Sequence, residues 1–287
     1  MSKQNTSASR RKAHTRRRCT ATKDCRIQTD PDAADSNLIR ILHLTDPHLF
    51  ADAEGSLRGT ATQASLQRVL DHYQSSNWQA DRVIVTGDLI QDDSAAAYDR
   101  FRDLMLPLNL RVHCVPGNHD VRKLMQPVCC APPFSYCAYE EVGDWLIVGL
   151  DSCDTDDAGG FLNDAEFERL SGIVEQSAAR HVMVCLHHPP VAMGSAWLDT
   201  VGLRNGEQFL EHAAALNRVR LAVFGHVHQA YDAEHEGMRI IGTPSTCRQF
   251  LPGSDEFAVD DRPPAYRRIT LSGDGSFNNE LVWLDDE

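Results

Sequence analysis

No stretch of this 287-residue chain approaches the ~18 consecutive apolar residues that a membrane-crossing helix needs. No membrane partner is therefore expected. The first thirty residues are basic but contain no apolar segment of the kind a secretory leader carries. The expected address is the cytoplasm. C-x-x-C pairs are absent too. The nine cysteines are odd in number and show no zinc-site spacing, so neither a disulfide framework nor a cysteine-held zinc is expected. Cys114 and Cys185 sit inside apolar runs and read as small buried hydrophobes. Residues 37–287 contain no linker rich in Pro, Gly or Ser, and they read as one domain.

What is present is a composition of ordinary globular kind, 42% hydrophobic and 24% charged. The charge is divided unevenly. Residues 1–30 hold nine Lys and Arg against two Asp and Glu, so the overall −13 leaves −20 for the rest. Residues 1–36 lack hydrophobic periodicity and read as a disordered basic tail. Arg16-Arg17-Arg18 leaves open a nucleic-acid or membrane contact through that tail. A body this acidic repels polyanions, so nucleic acid is not the expected partner. If the chain acts on a phosphate, local positive charge must come from elsewhere, and bound metal ions are the natural source.

Apolar strand-like runs alternate with helical stripes. Leu38 to Thr45, Val83 to Val85, Val112 to Val115, Trp145 to Leu150, Val182 to Leu186 and Leu221 to Phe224 read as strands. Leu66, Val69, Leu70 and Tyr73 mark one amphipathic helix, and Ala97, Phe101, Leu104 and Met105 a second. Phe167, Leu170, Ile173 and Val174 mark a third, and Phe209 to Leu216 a fourth. The alternation predicts βαβ units and parallel sheets. Beyond Phe224 the helical stripes stop, and Met238 to Ile241, Tyr266 to Leu271 and Leu281 to Leu284 read as strands joined by turns. Two mixed sheets packed face to face, with helices outside, fit this order.

Polar motifs follow the strand runs: Asp46-Pro47-His48, Gly87-Asp88, Gly117-Asn118-His119-Asp120, His187-His188 and Gly225-His226-Val227-His228. Asn205 and Thr243-Pro244-Ser245-Thr246 read as supporting residues. Parallel sheets present their binding groups at the carboxyl ends of strands. Each motif has a plain alternative. Asp-Pro favours turns, and His187 alone could be a satisfied core histidine. Two imidazoles one residue apart on a strand would face one side, which favours a metal. The ordered set of Asp46, His48, Asp88, Asn118, His187, His226 and His228 offers carboxylate oxygen and imidazole nitrogen, donors that suit Mn, Fe and Zn. Two divalent ions held by only two carboxylates would leave the pocket cationic.

With these motifs the chain resembles the calcineurin-like metallophosphoesterase superfamily, over about residues 38–284. More narrowly it resembles the bacterial class III 3′,5′-cyclic AMP phosphodiesterases. The narrower likeness rests on Leu44 to Phe50, Thr86 to Leu89, Ser195 to Asp199, Gly202 to Asn205 and Thr243 to Phe250. The resemblance implies a four-layer α/β/β/α sandwich, with residues 37–287 forming the catalytic domain. It implies one metal on Asp46, His48 and His228, a second on Asn118, His187 and His226, and Asp88 bridging them. The metals would be iron with manganese, or two manganese ions. A metal-bridging hydroxide would attack phosphorus in line with the 3′ oxygen of cyclic AMP. His119 would face the phosphate and protonate the leaving oxygen, and His48, Asn118, His119 and His228 would contact substrate. Asp120 is expected to orient a histidine, and Phe250 or His188 could contact a base. The alternative is a broad-specificity phosphodiesterase or phosphatase acting on another ester, and the family holds both monomers and homodimers.

Overall fold

The computed structural model describes residues 38–154 and 157–285. The basic segment expected to form a disordered tail lies outside the described residues. The first sheet has six strands in the order Phe277–Trp283, Ala265–Ser272, Leu38–Leu44, Arg82–Thr86, Arg111–Val115 and Phe134–Tyr136. The last four are mutually parallel, and the first two run antiparallel at one edge. The second sheet has the order Tyr231–His235, Met238–Gly242, Val219–Phe224, His181–Cys185, Trp145–Gly149 and Tyr139–Val142. Its four inner strands are parallel and its two edge strands antiparallel.

The sheets stack because their strands are apolar on both faces, as parallel strands covered on both sides must be. In the Trp145–Gly149 strand, Trp145 and Ile147 join a core shared with the first sheet. Leu146 and Val148 point the other way, into a core closed by the helices Asp164–Gln176 and Gly206–Ala215. The helices Thr62–Ser75 and Ala95–Met105 cover the outer face of the first sheet through Leu66, Val69, Leu70, Phe101 and Met105. The result is the expected four-layer α/β/β/α sandwich. Burial of each such side chain is worth ~1.5–3 kcal/mol. Polar ties cross between the sheets as well. The Trp145 indole donates to the Ser272 carbonyl at 2.7 Å. Buried Glu140 of the second sheet accepts from Arg82, Arg111 and His113 of the first, at 2.6–3.1 Å.

Helix ends follow local chemistry. Ser94 and Asn163 accept from the backbone N–H of Ala97 and Glu166, as N-caps do. None of the described helices is long and apolar enough to cross a membrane. Several elements carry too weak a signal to be expected. The helix Arg122–Cys129 contains Pro127, and Phe134–Tyr136 is only three residues long. Tyr231–His235 and the polar half of Phe277–Trp283 are half-exposed edge strands without an apolar run. The loop beginning at Leu251 is pinned by a short pair, Gln249–Phe250 with Val259–Asp260.

Candidate metal centre

The parallel strands of both sheets end side by side, and the candidate ligands lie in the turns just beyond them. Asp46 and His48 follow the strand ending at Leu44, Asp88 the one ending at Thr86, and Asn118 and His119 the one ending at Val115. His187 follows Cys185, and His226 and His228 follow Phe224. Five of these residues have left-handed backbone: Asp46, His48, Asp88, His226 and His228, with φ of 52°, 47°, 50°, 68° and 49°. Each such residue costs of order 1–3 kcal/mol and persists only where the surroundings impose it. Here the surroundings are hydrogen bonds between turns. Asp46 N–H donates to Gly87 O at 3.1 Å and His48 N–H to Asp88 O at 3.0 Å. His226 N–H donates to the Asp46 carboxylate at 3.0 Å, and His119 N–H to Asp88 Oδ1 at 2.9 Å. Glycine at 225 is what lets the turns meet, because a β carbon there would overlap Thr45 Oγ1 and lie 2.6 Å from Asp46 Oδ2.

The side chains gather into two adjoining clusters. In the first, His48 Nε2 lies 3.1 Å from His228 Nε2, and Asp46 Oδ1 lies 3.4 Å from His228 Nε2 and 3.9 Å from His48 Nε2. In the second, His226 Nδ1 lies 3.1 Å from His187 Nε2, and Asn118 Oδ1 lies 3.0 Å and 3.1 Å from those two atoms. Asp88 Oδ2 stands between the clusters, 3.7 Å from His48 Nε2 and 3.5 Å from His187 Nε2.

The hydrogen bonds on the far side of the rings set the tautomers. His187 Nδ1 donates to Thr86 O at 2.7 Å, and His228 Nδ1 donates to Arg248 O at 2.5 Å. Rings so held present Nε2 to the cluster, where it lies 3.1–3.5 Å from other donor atoms. Cations shared among these donor atoms satisfy such an arrangement, so the donor set fits a metal pair. The titration tendencies agree. Burial drives His48 down to about 4 and His226 down to about 3, which keeps both rings neutral and available as ligands. Burial opposes charge on His187, yet Asp88 and Asp46 carry its pKa up to about 9, so that position favours a positive charge. Burial also works to raise Asp88 and Asp46, but the imidazoles beside them hold both carboxyls below their ordinary range.

Supporting contacts explain the turn sequences. Thr45 Oγ1 donates to Asp46 Oδ2 at 2.5 Å and leaves Oδ1 for the cluster. Ser245 Oγ donates to Asp46 O at 2.7 Å, and Thr246 N–H donates to Thr45 O at 3.0 Å, so the Thr243 to Thr246 segment buttresses the Asp46 turn. His119, half-buried, stands edge-on to His48 with ring centroids 5.1 Å apart. Gln91 Nε2 lies 3.3 Å from His119 Nδ1, a contact the sequence reading missed.

Three expectations are corrected. Asp120 orients no histidine; it accepts from Gly117 N–H, Leu89 N–H and Tyr98 OH and so holds the loop backbone. Burial and the nearby charge of Asp88 raise its pKa to about 7. Asn205 does not support the centre, because it bonds the Leu162 backbone at 2.8 Å and 3.1 Å. His188 cannot contact a base. It is fully buried, its Nδ1 is 2.9 Å from Ser152 Oγ and its Nε2 is 3.1 Å from Ala158 O. Those two bonds use both ring nitrogens, although the ring lies near His187 and His226.

Residues 39–230 match the family model described as calcineurin-like phosphoesterase. The chain is similar to the 3′,5′-cyclic adenosine monophosphate phosphodiesterase CpdA of Vibrio vulnificus, 37% identical over 89% of this chain and 94% of that protein. It is likewise similar to the protein of that name from Escherichia coli K12, 35% identical over 86% of this chain and 90% of the other. Among solved structures, a dimetal phosphatase from Danio rerio aligns with a TM-score of 0.59 at 14% identity, over 86% of this chain and 99% of that one. That likeness is one of fold.

Proposed function

The chain belongs to the calcineurin-like phosphoesterase family, and from that premise we propose that it hydrolyses 3′,5′-cyclic AMP to 5′-AMP. The observation that carries this reading is the pair of clusters joined by Asp88, in a chain that matches relatives named as cyclic AMP phosphodiesterases along nearly their whole length. Asp46, His48 and His228 would hold one ion, and Asn118, His187 and His226 the other, with Asp88 shared between them. Two cations bound there would supply Lewis acidity to the phosphate oxygens and lower the pKa of an attacking water. We assign them as iron with manganese, or two manganese ions. The absence of any disulfide among the seven described cysteines supports a reducing compartment, the cytoplasm.

The chain's own groups do the rest. In the reaction the oxygen of one water becomes bonded to phosphorus while the bond from phosphorus to the 3′ oxygen breaks. The 3′ oxygen must gain a proton. Gln91 Nε2, 3.3 Å from His119 Nδ1, fixes that side of the ring; the leaving oxygen would take its proton from His119, and the ring would recover it from the attacking water. His48, Asn118 and His228 flank the space the phosphate would enter. The hydrogen bonds between turns keep these groups in place through the reaction, so little reorganisation is needed.

The test is turnover after reconstitution with Mn²⁺, comparing kcat/KM for 3′,5′-cyclic AMP, 2′,3′-cyclic AMP and bis(p-nitrophenyl) phosphate. A clear preference for 3′,5′-cyclic AMP with 5′-AMP as product is expected. Activity on the synthetic diester with little on 3′,5′-cyclic AMP would keep the metal reading and overturn the substrate.

A further inference from the structure

An aromatic wall stands directly behind one of the candidate ligands. The Phe250 ring stacks on the His228 imidazole with centroids 4.0 Å apart and planes 6° from parallel. Trp197 and Phe257 both meet Phe250 edge-on, at 5.4 Å and 5.2 Å, and meet each other at 5.2 Å. These residues come from distant stretches. Trp197 lies on the short helix Ala196–Asp199, whereas Phe250 opens the excursion after Gln249 and Phe257 lies within it. The excursion is tied down by Phe250 N–H to His228 O at 3.2 Å and by Gly253 N–H to Ser195 Oγ at 2.9 Å.

The wall is not closed. Phe257 is 43% exposed, an unusual exposure for a phenylalanine inside a packed cluster. The guanidinium of Arg58, from the turn between the short strands Ser56–Leu57 and Thr60–Ala61, lies 4.8 Å from its ring centre. The Trp197 Nε1 donor has no hydrogen-bond partner among the described residues. A buried donor of that kind normally has one. So a partly open aromatic surface, a cation and an unmatched donor adjoin the side of the metal centre formed by His228. A flat, electron-rich heterocycle meets the first two; the Trp197 donor is buried and out of its reach.

We propose that Phe257 and Trp197 form the surface on which the purine base of the substrate stacks, with Phe250 fixing that surface to His228. This rests on the cyclic nucleotide reading above. It makes the wall, rather than the metal centre, the source of preference for a nucleotide over other diesters. It also explains why the excursion carries Phe257 exposed instead of buried.

The experiment compares the parent with Phe257→Ala and Phe257→Trp in the Mn²⁺-loaded enzyme. The substrates are 3′,5′-cyclic AMP and the 3,5-cyclic phosphate of 1-deoxyribose, which has the same strained ring and no base. The Phe257→Ala variant should lose about 5- to 150-fold in kcat/KM on cyclic AMP, the range for stacking on one aromatic ring, and keep its activity on the baseless diester. The Phe257→Trp variant should retain the preference. Binding is read separately, without turnover. 5′-AMP should quench the tryptophan fluorescence of the parent where ribose 5-phosphate does not, and Trp197→Phe should abolish the quench. An unchanged preference in Phe257→Ala, with the parent still active on cyclic AMP, overturns the stacking surface and leaves the substrate standing. A parent inactive on both cyclic phosphates overturns the substrate reading and the stacking surface together.

Discussion

Replacing Thr45 with valine removes one hydroxyl and nothing else of consequence, since the two side chains have nearly the same shape. That hydroxyl lies in a fully buried chain of hydrogen bonds. Thr243 Oγ1 is 2.8 Å from His43 Nδ1, His43 Nε2 is 2.9 Å from Thr86 Oγ1, Thr86 Oγ1 donates to Thr45 Oγ1 at 2.9 Å, and Thr45 Oγ1 donates to Asp46 Oδ2 at 2.5 Å. Burial and the charge of Arg267 push His43 down to about 3, so the ring stays neutral and carries a single N–H. The chain therefore runs one way, from Thr243 towards Asp46. Valine deletes a charge-assisted hydrogen bond worth roughly 1.5–3 kcal/mol. It also strands the Thr86 hydroxyl unless the chain reverses by moving the His43 proton to Nδ1. With Oδ2 held by the His226 N–H alone, Asp46 presents Oδ1 less rigidly to His48 and His228. Loss of a contact that orients a ligand typically weakens metal affinity by about 10- to 100-fold. A competition titration of Mn²⁺ against a chelating dye measures this directly. The Thr45→Val protein should bind one equivalent more weakly by that factor, and Thr45→Ser should stay close to the parent. Binding by Thr45→Val within about two-fold of the parent would refute the role assigned to the hydroxyl.

Three further outcomes are expected. His119→Ala should keep both metals, measured by elemental analysis, and lose about 10²- to 10⁴-fold in turnover, the usual worth of a positioned general acid; full activity would remove His119 from the mechanism. Asp88→Ala should lose at least one metal, because Oδ2 lies within 4 Å of a ring nitrogen of each cluster, His48 and His187; an unchanged metal content would refute the shared ligand. Glu140 contributes to acid stability. Burial would raise its pKa, but the hydrogen bonds from His113 and Arg82 hold it down at about 2, against an ordinary 4.5. A depressed carboxyl contributes stability above its unfolded pKa and loses it as pH falls, so on the order of 3 kcal/mol should disappear between about pH 4.5 and pH 2. Urea denaturation across that window should show a smaller slope against pH in Glu140→Gln, and an equal slope would locate the acid sensitivity elsewhere.

The sandwich was legible because its inner strands are buried on both faces, which writes them as unbroken apolar runs such as Val182 to Leu186. Its outer helices carry one apolar stripe each. Apart from the end of Phe277–Trp283, the edge strands were not legible; Tyr231–His235 is half-exposed and its pairing with Met238–Gly242 depends on a partner rather than on its own pattern. The clustering of the candidate ligands was legible for a related reason. In parallel sheets the strand ends converge, so polar residues directly after apolar runs are the ones that meet. Asp46, His48, Asp88, Asn118, His187, His226 and His228 all meet in this way.

Position in the chain could not separate candidate ligands from their neighbours. His187 and His188 are adjacent and chemically identical, and only the contacts of Thr86 O with one ring and of Ser152 and Ala158 with the other decide which keeps a lone pair for a metal. Asp120 and Asn205 resemble supporting groups in sequence, yet each is spent on loop backbone. The wall of Trp197, Phe250 and Phe257 joins segments whose proximity only folding creates. The sequence by itself determined the layers and the donor set, because both follow from periodicity and from chemistry next in the chain. The tertiary structure alone decided tautomers, anchoring and the shape of the mouth, because each of these depends on hydrogen bonds and ring contacts between residues far apart in sequence.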